Sequence, residues 1–131
     1  MSAVVLTLEG SNVTGISAFY AEINRVFMAQ EPWQLGESLD ALDDLLHGNY
    51  GALAGHPSAT VIWKDLADSR AALGVDTTRA WLQAKLERPE LFNIRAITTQ
   101  LQALEQGGGR TYFDIVLDVF AAHPTVQVVA A

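Results

Sequence analysis

The chain contains no cysteine, which excludes disulfides, thiolate metal sites and cysteine nucleophiles. It has no apolar run near the roughly 18 residues of a membrane span. The opening residues Met1-Ser2-Ala3-Val4-Val5-Leu6-Thr7-Leu8-Glu9 lack a basic region and meet an acid after a few apolar positions, so they do not read as a secretory signal. The expected location is the cytoplasm. Basic charge is also missing from one long stretch, because no Lys or Arg occurs between Arg25 and Lys64. That gap holds Glu31, Glu37, Asp40, Asp43 and Asp44, while the remaining ten acids face eight bases, so most of the net charge of −7 is local. A one-signed region attracts a basic partner, speeds the encounter and weakens as salt rises. It argues against direct binding to nucleic acid or anionic lipid, which needs the opposite sign.

What is present suits one domain: 131 residues, half of them apolar, can bury a real core, and a second independent domain is not expected. Ala3 to Glu9 is β-branched and leucine-rich and ends in Gly10-Ser11-Asn12, the pattern of a strand followed by a turn. From Ser17 as N-cap, Phe19, Tyr20, Ile23, Val26 and Phe27 follow helical spacing, and Glu31-Pro32 closes that helix. Ser38 caps a second helix with a core-facing stripe of Leu39, Leu42 and Leu46, ended by Gly48 and Gly51. Ala59-Thr60-Val61-Ile62-Trp63 reads as a strand buried on both faces.

Leu66 to Leu73 reads as a short helix stopped by Gly74. Thr77 or Thr78 caps a helix through Leu86, and Pro89 starts another, whose stripe of Ile94, Ile97, Leu101 and Leu104 runs to Gly107-Gly108-Gly109. A last helix carries Phe113, Val116, Leu117 and Phe120, and Pro124 precedes a strand from Thr125 to Val129. Strands separated by helical crossovers favour a parallel sheet with right-handed connections. The expected fold is therefore α/β, a three-stranded parallel sheet packed with helices.

The segment Trp33 to Tyr50 concentrates the unusual chemistry. Asp40 and Asp44 stand at i and i+4, Glu37 sits one turn earlier, and Asp43 widens the patch. Helix-end electrostatics account for Glu37 and Asp40. They do not account for Asp43 and Asp44, which lie beyond the first turn with no base nearby in sequence, and like charges at i, i+4 cost roughly 0.2–0.5 kcal/mol. Three readings stay open on residues alone. The carboxylates are ordinary surface polarity, or they hold a hard cation through oxygen ligands, although their spacing matches no calcium loop. Or they mimic phosphates and enter the cationic cleft of a protein that handles nucleic acid. The last reading needs glycines for close backbone approach and an aromatic or two, and Gly36, Gly48, Trp33 and Tyr50 meet that need.

The histidines His47, His56 and His123 show no spacing typical of metal or acid–base work. His47 reads as a surface residue at a helix end, and His56 and His123, each before a proline, as turn residues. Gly107-Gly108-Gly109-Arg110 lacks the lysine and hydroxyl of a phosphate loop and reads as a connection. Trp63 reads as core, and Trp81 as core or a second interface.

The run Gly36-Glu37-Ser38-Leu39-Asp40-Ala41-Leu42-Asp43-Asp44-Leu45-Leu46-His47-Gly48 resembles the signature of the barstar family, inhibitors of secreted microbial ribonucleases. The likeness extends through the first strand and helix to Val61-Ile62-Trp63-Lys64-Asp65-Leu66, and more weakly to Ile115–Phe120 and the last strand. Residues 74–110 look like a helical insertion. The resemblance implies a barstar-like fold, no enzymatic activity and no cofactor or metal. It implies an acidic helix and preceding loop that enter the active site of a basic ribonuclease toxin, with the protein a monomer when free or bound one to one. Carried over, the anchors are Asp40 and Asp44, with Asp43, Gln34, Gly36, Ser38, Gly48 and Asn49 around them and Trp33 and Tyr50 as replacement aromatics. Gln34, Asp43 and Asn49 stand where the best-known member has aromatics, and Ala122 replaces a further acid, so the partner surface differs. The alternative is a barstar-like scaffold that binds another protein through the inserted helices.

Overall fold

In the computed structural model, which describes residues 3–131, three short strands lie side by side: β1 (Val4–Glu9), β2 (Ala59–Lys64) and β3 (Val126–Ala130). Both pairings are parallel, in the order β1-β2-β3 with β2 central. The α/β expectation holds. Six helices connect the strands: α1 (Ile16–Phe27), α2 (Leu39–Leu46), α3 (Leu66–Ala72), α4 (Val75–Leu86), α5 (Ile94–Glu105) and α6 (Tyr112–Ala121). Met1 and Ser2, which open the N-terminal segment read above, lie outside the described residues. Among the described residues, no helix is long and apolar enough to cross a membrane.

The core forms on one face of the sheet. Along β2, Ala59, Val61 and Trp63 are buried, whereas Thr60 and Ile62 are only half-buried and Lys64 is exposed. This corrects the expectation of a strand buried on both faces: the helices cover one side, and Val5 and Val129 stay largely exposed in the rows that flank Thr60 and Ile62. Trp63 is the hub. Its ring stacks on Phe19 at 6.0 Å and meets Phe113 and Phe120 edge-on. Its indole N–H donates to Ser69 Oγ at 2.9 Å, and Ser69 in turn donates to the Gly10 carbonyl.

Three helix starts differ from the sequence reading. The helix expected to begin at Ser17 begins after Gly15, and Ser17 lies inside α1. Thr77 and Thr78 lie inside α4, which begins after Gly74. Pro89 starts no helix, because Asn93 caps α5 through its side chain on the Ala96 N–H. Glycine backbones open α1 and α4, and Ser17 and Thr78 bond elsewhere, to Glu37 and to the Gly74 carbonyl. Thr78 shows this well: it donates to the Gly74 carbonyl and accepts from the Tyr112 N–H at 2.7 Å, which ties the start of α4 to the start of α6.

Helices α4 and α5 fold against each other as a hairpin. Leu82, Ile97 and Leu104 form a small core separate from the main one, with Trp81, Leu86 and Leu101 against it. Ile94, expected in that stripe, is exposed. Arg79 near the start of α4 pairs with Glu105 at the end of α5, as an antiparallel arrangement requires. The hairpin joins the main body where Trp81 meets Tyr112 edge-on at 4.8 Å. There the Tyr20 and Tyr112 hydroxyls, both buried, lie 2.6 Å apart and link α1 to α6. Burial raises both phenols above the ordinary tyrosine range; the shared hydrogen bond raises Tyr20 further and acts downward on Tyr112.

Candidate functional site

The helix α2 is held by its apolar side. Leu42, Leu45 and Leu46 are buried and Leu39 is half-buried, and burial of a leucine side chain stabilises by about 1.5–3 kcal/mol. The repulsion between Asp40 and Asp44, a few tenths of a kcal/mol, is small beside that anchor. The fold thus carries an uncompensated acidic face at little cost. Ser38 Oγ accepts from the Ala41 N–H at 3.0 Å and caps the helix as expected. Gly48, in the left-handed conformation (φ +81°), ends it, a geometry other residues adopt only with strain.

The five acids of the base-free stretch separate by function in the structure. Asp40 and Asp44 are exposed on the outer side of α2. Asp40 makes no side-chain hydrogen bond or ion pair among the described residues. Asp44 Oδ2 accepts from the Tyr50 hydroxyl at 2.8 Å. Glu37 lies before the helix, not on its face, and accepts from Ser17 Oγ at 2.7 Å. Glu31 accepts from the Gly51 N–H at 2.8 Å and so ties the loop before α2 to the loop after it. Asp43, half-buried, points at the end of α6, where its Oδ1 lies 2.7 Å from His123 Nε2.

That contact corrects two sequence expectations. Asp43 does have a basic neighbour, one contributed by a distant part of the chain. His123 is no simple turn residue: it is buried beneath α2, and its ring meets that of His47 edge-on at 4.8 Å. None of the five acids pairs with a Lys or Arg among the described residues, so the face remains negative.

The loop that leads into α2 is fastened rather than loose. The Asn24 side chain on α1 accepts from the Leu35 N–H at 2.7 Å and donates to the Leu35 carbonyl at 3.3 Å. This clamp buries Leu35 and turns Gln34 and Gly36 outward. An added Cβ at Gly36 would meet no atom within 4 Å, and its backbone is not left-handed. The fold itself therefore does not require glycine there; the bare backbone leaves room for another molecule. Asn49 is likewise exposed.

Trp33 and Tyr50 come together from the segments before and after the helix. Their rings are 4.9 Å apart and tilted, and Trp33 is 45% exposed. Burial, then the hydrogen bond to Asp44 and the charge of that carboxylate, push the Tyr50 phenol up to about 12. It therefore keeps its proton at neutral pH and donates to Asp44. An aromatic pair beside an oriented carboxylate can meet a cation and a flat apolar surface at once. The α4–α5 hairpin reaches the other end of α2: a groove of about 420 Å³ has Glu37, Ser38 and Asp40 on one wall and Trp81, Lys85 and Phe92 on the other.

Gln34, Gly36, Asp40, Asp44, Gly48, Asn49, Trp33 and Tyr50 thus belong to one continuous rim around α2, with Asp43 at its inner edge. Sequence reasoning missed Asn24 and gave Ser17 and His123 other roles, a cap and a turn residue; all three hold that rim in place.

The family model described as Barstar (barnase inhibitor) matches residues 3–95. The matched span takes in β1, the whole rim, β2, α3 and α4, and stops within the first turn of α5. No curated protein matches the chain.

Proposed function

The chain belongs to the barstar family, and from that premise we propose that it blocks the active site of a basic ribonuclease toxin, as a cytoplasmic immunity protein. The observation that carries this reading is the outward pair Asp40 and Asp44 on a rigidly seated helix, neither of them in an ion pair with a Lys or Arg among the described residues. Such carboxylates stand where RNA phosphates would sit and draw the cationic cleft by charge over a distance comparable to the Debye length, about 8–10 Å. Gly36 and Gly48 permit close backbone approach, and Trp33 with Tyr50 supplies the aromatic contact. The whole chain acts as one unit, one copy per toxin molecule. The protein itself performs no catalysis in this role and needs no cofactor.

Capture from a lysate of the source cell on immobilised protein, followed by an RNA-cleavage assay on what is captured, tests the reading. A basic ribonuclease whose cleavage stops at one equivalent of the protein supports it. A captured partner without ribonuclease activity, or cleavage that continues at saturation, contradicts it.

One observation favours a second reading, a module that binds another protein through the inserted helices. Leu91, Phe92 and Ile94 at the turn between α4 and α5 are exposed. Replacing Leu91 and Phe92 by Ser separates the two: loss of the captured partner favours the scaffold, and retention favours the inhibitor.

A further inference from the structure

A second chemistry is built where α2 and α6 end together. Asp43, His47 and His123 each place one ligand atom within 4.8 Å of the others. Asp43 and His47 are i, i+4 on one side of α2, and His123 follows the last turn of α6. His47 Nδ1 lies 2.9 Å from the Asp43 carbonyl oxygen. That oxygen can only accept, so Nδ1 carries a proton, and the tautomer with that proton alone has its lone pair on Nε2. A backbone carbonyl that fixes an imidazole in this way is the usual support of a metal-binding histidine.

We propose that these three residues form a site for a borderline divalent cation, zinc or its analogue cobalt, bound by two imidazoles and one carboxylate. Two nitrogens and one oxygen suit zinc, whereas magnesium and calcium prefer oxygen alone. The ion takes the place of the proton between His123 Nε2 and Asp43 Oδ1; the bound imidazole keeps one proton, on Nδ1, and a second proton, where the ring carries one, leaves to solvent. Tetrahedral bonds of about 2.0–2.1 Å set ligand atoms roughly 3.3 Å apart. The 2.7 Å His123–Asp43 contact opens slightly, and the exposed His47 ring swings inward by about 1.5 Å from a separation of up to 4.8 Å. Water fills the fourth position, because His47 is exposed and the Asp43 side chain is 49% exposed. Gly48 and Asn49 follow directly, so the ion sits at the edge of the acidic rim.

The test uses the metal alone, so its outcome is independent of the ribonuclease reading. Calorimetric titration of the full chain with zinc is expected to show one equivalent bound, and cobalt to give the visible absorption of a tetrahedral site. Loss of a direct ligand should cost at least the roughly tenfold that loss of a supporting residue costs, so His47→Ala is expected to bind at least tenfold more weakly. His47 is exposed, so this variant keeps the fold, and His56→Ala, outside the cluster, should bind as the parent does. Absence of saturable zinc or cobalt binding, or full affinity in His47→Ala, overturns the proposal.

Discussion

The Tyr50 hydroxyl donates a 2.8 Å hydrogen bond to Asp44 Oδ2, so the loop that follows α2 fixes the orientation of a carboxylate on its outer face. One acceptor oxygen of Asp44 is engaged and the other is free for a partner. Because the Tyr50 phenol titrates only at about 12, above the ordinary tyrosine value near 10, this arrangement does not change with pH across the neutral range.

Tyr50→Phe removes that bond and little else. A net hydrogen bond is worth about 0.5–1.5 kcal/mol, so the complex with the ribonuclease should dissociate roughly two- to tenfold faster while the urea midpoint of the free protein stays nearly constant. Surface plasmon resonance on the pair checks it. An unchanged dissociation rate would show that Asp44 needs no such support.

Glu22 is the charged anchor of the core. It is buried, and it accepts from the Arg25 guanidinium, the Glu9 N–H and the Asn12 amide. Burial alone would raise its carboxyl, but the hydrogen bonds from Arg25, Glu9 and Asn12 and the Arg25 charge together hold it below the usual carboxylate range. Its contribution is therefore present above the unfolded value of about 4.3 and is lost as pH falls through the lower folded value. Glu22→Gln should destabilise by about 1.5–3 kcal/mol near neutral pH, with the gap to the parent closing in acid. Urea unfolding at several pH values measures it.

The buried Tyr20–Tyr112 pair makes a distinct prediction. Tyr112→Phe leaves the Tyr20 hydroxyl buried without a partner and should cost about 1–3 kcal/mol. Adding Tyr20→Phe removes the stranded group, so the double variant should be less destabilised than the two single effects summed. Denaturant unfolding of all four proteins gives the coupling directly, and strict additivity would show that the two hydroxyls do not depend on each other.

The parallel sheet and the acidic helix were legible because they rest on local signals: β-branched runs between helical stripes, and leucines at i, i+3 and i+7 opposite carboxylates. The half-open sheet face was not, because the apolar run Ala59 to Trp63 looks the same whether one side or both are covered. Ser17 and Thr78 misled as caps because glycine backbones open those helices and the hydroxyls bond to Glu37 and Gly74 instead. The His123–Asp43 contact spans 80 residues and the Tyr20–Tyr112 contact 92, so neither leaves a mark in any sequence window. The outward members of the rim were readable; the bonds that orient them were tertiary.

The most direct test of the inhibitor account is the dissociation rate of Asp44→Ala from the captured ribonuclease. A desolvated charge left unpaired costs about 2–5 kcal/mol, a general range to which a complex of this family has itself contributed. The variant should therefore dissociate at least about thirtyfold faster, with the free protein folded as before. A dissociation rate equal to that of the parent would contradict the account.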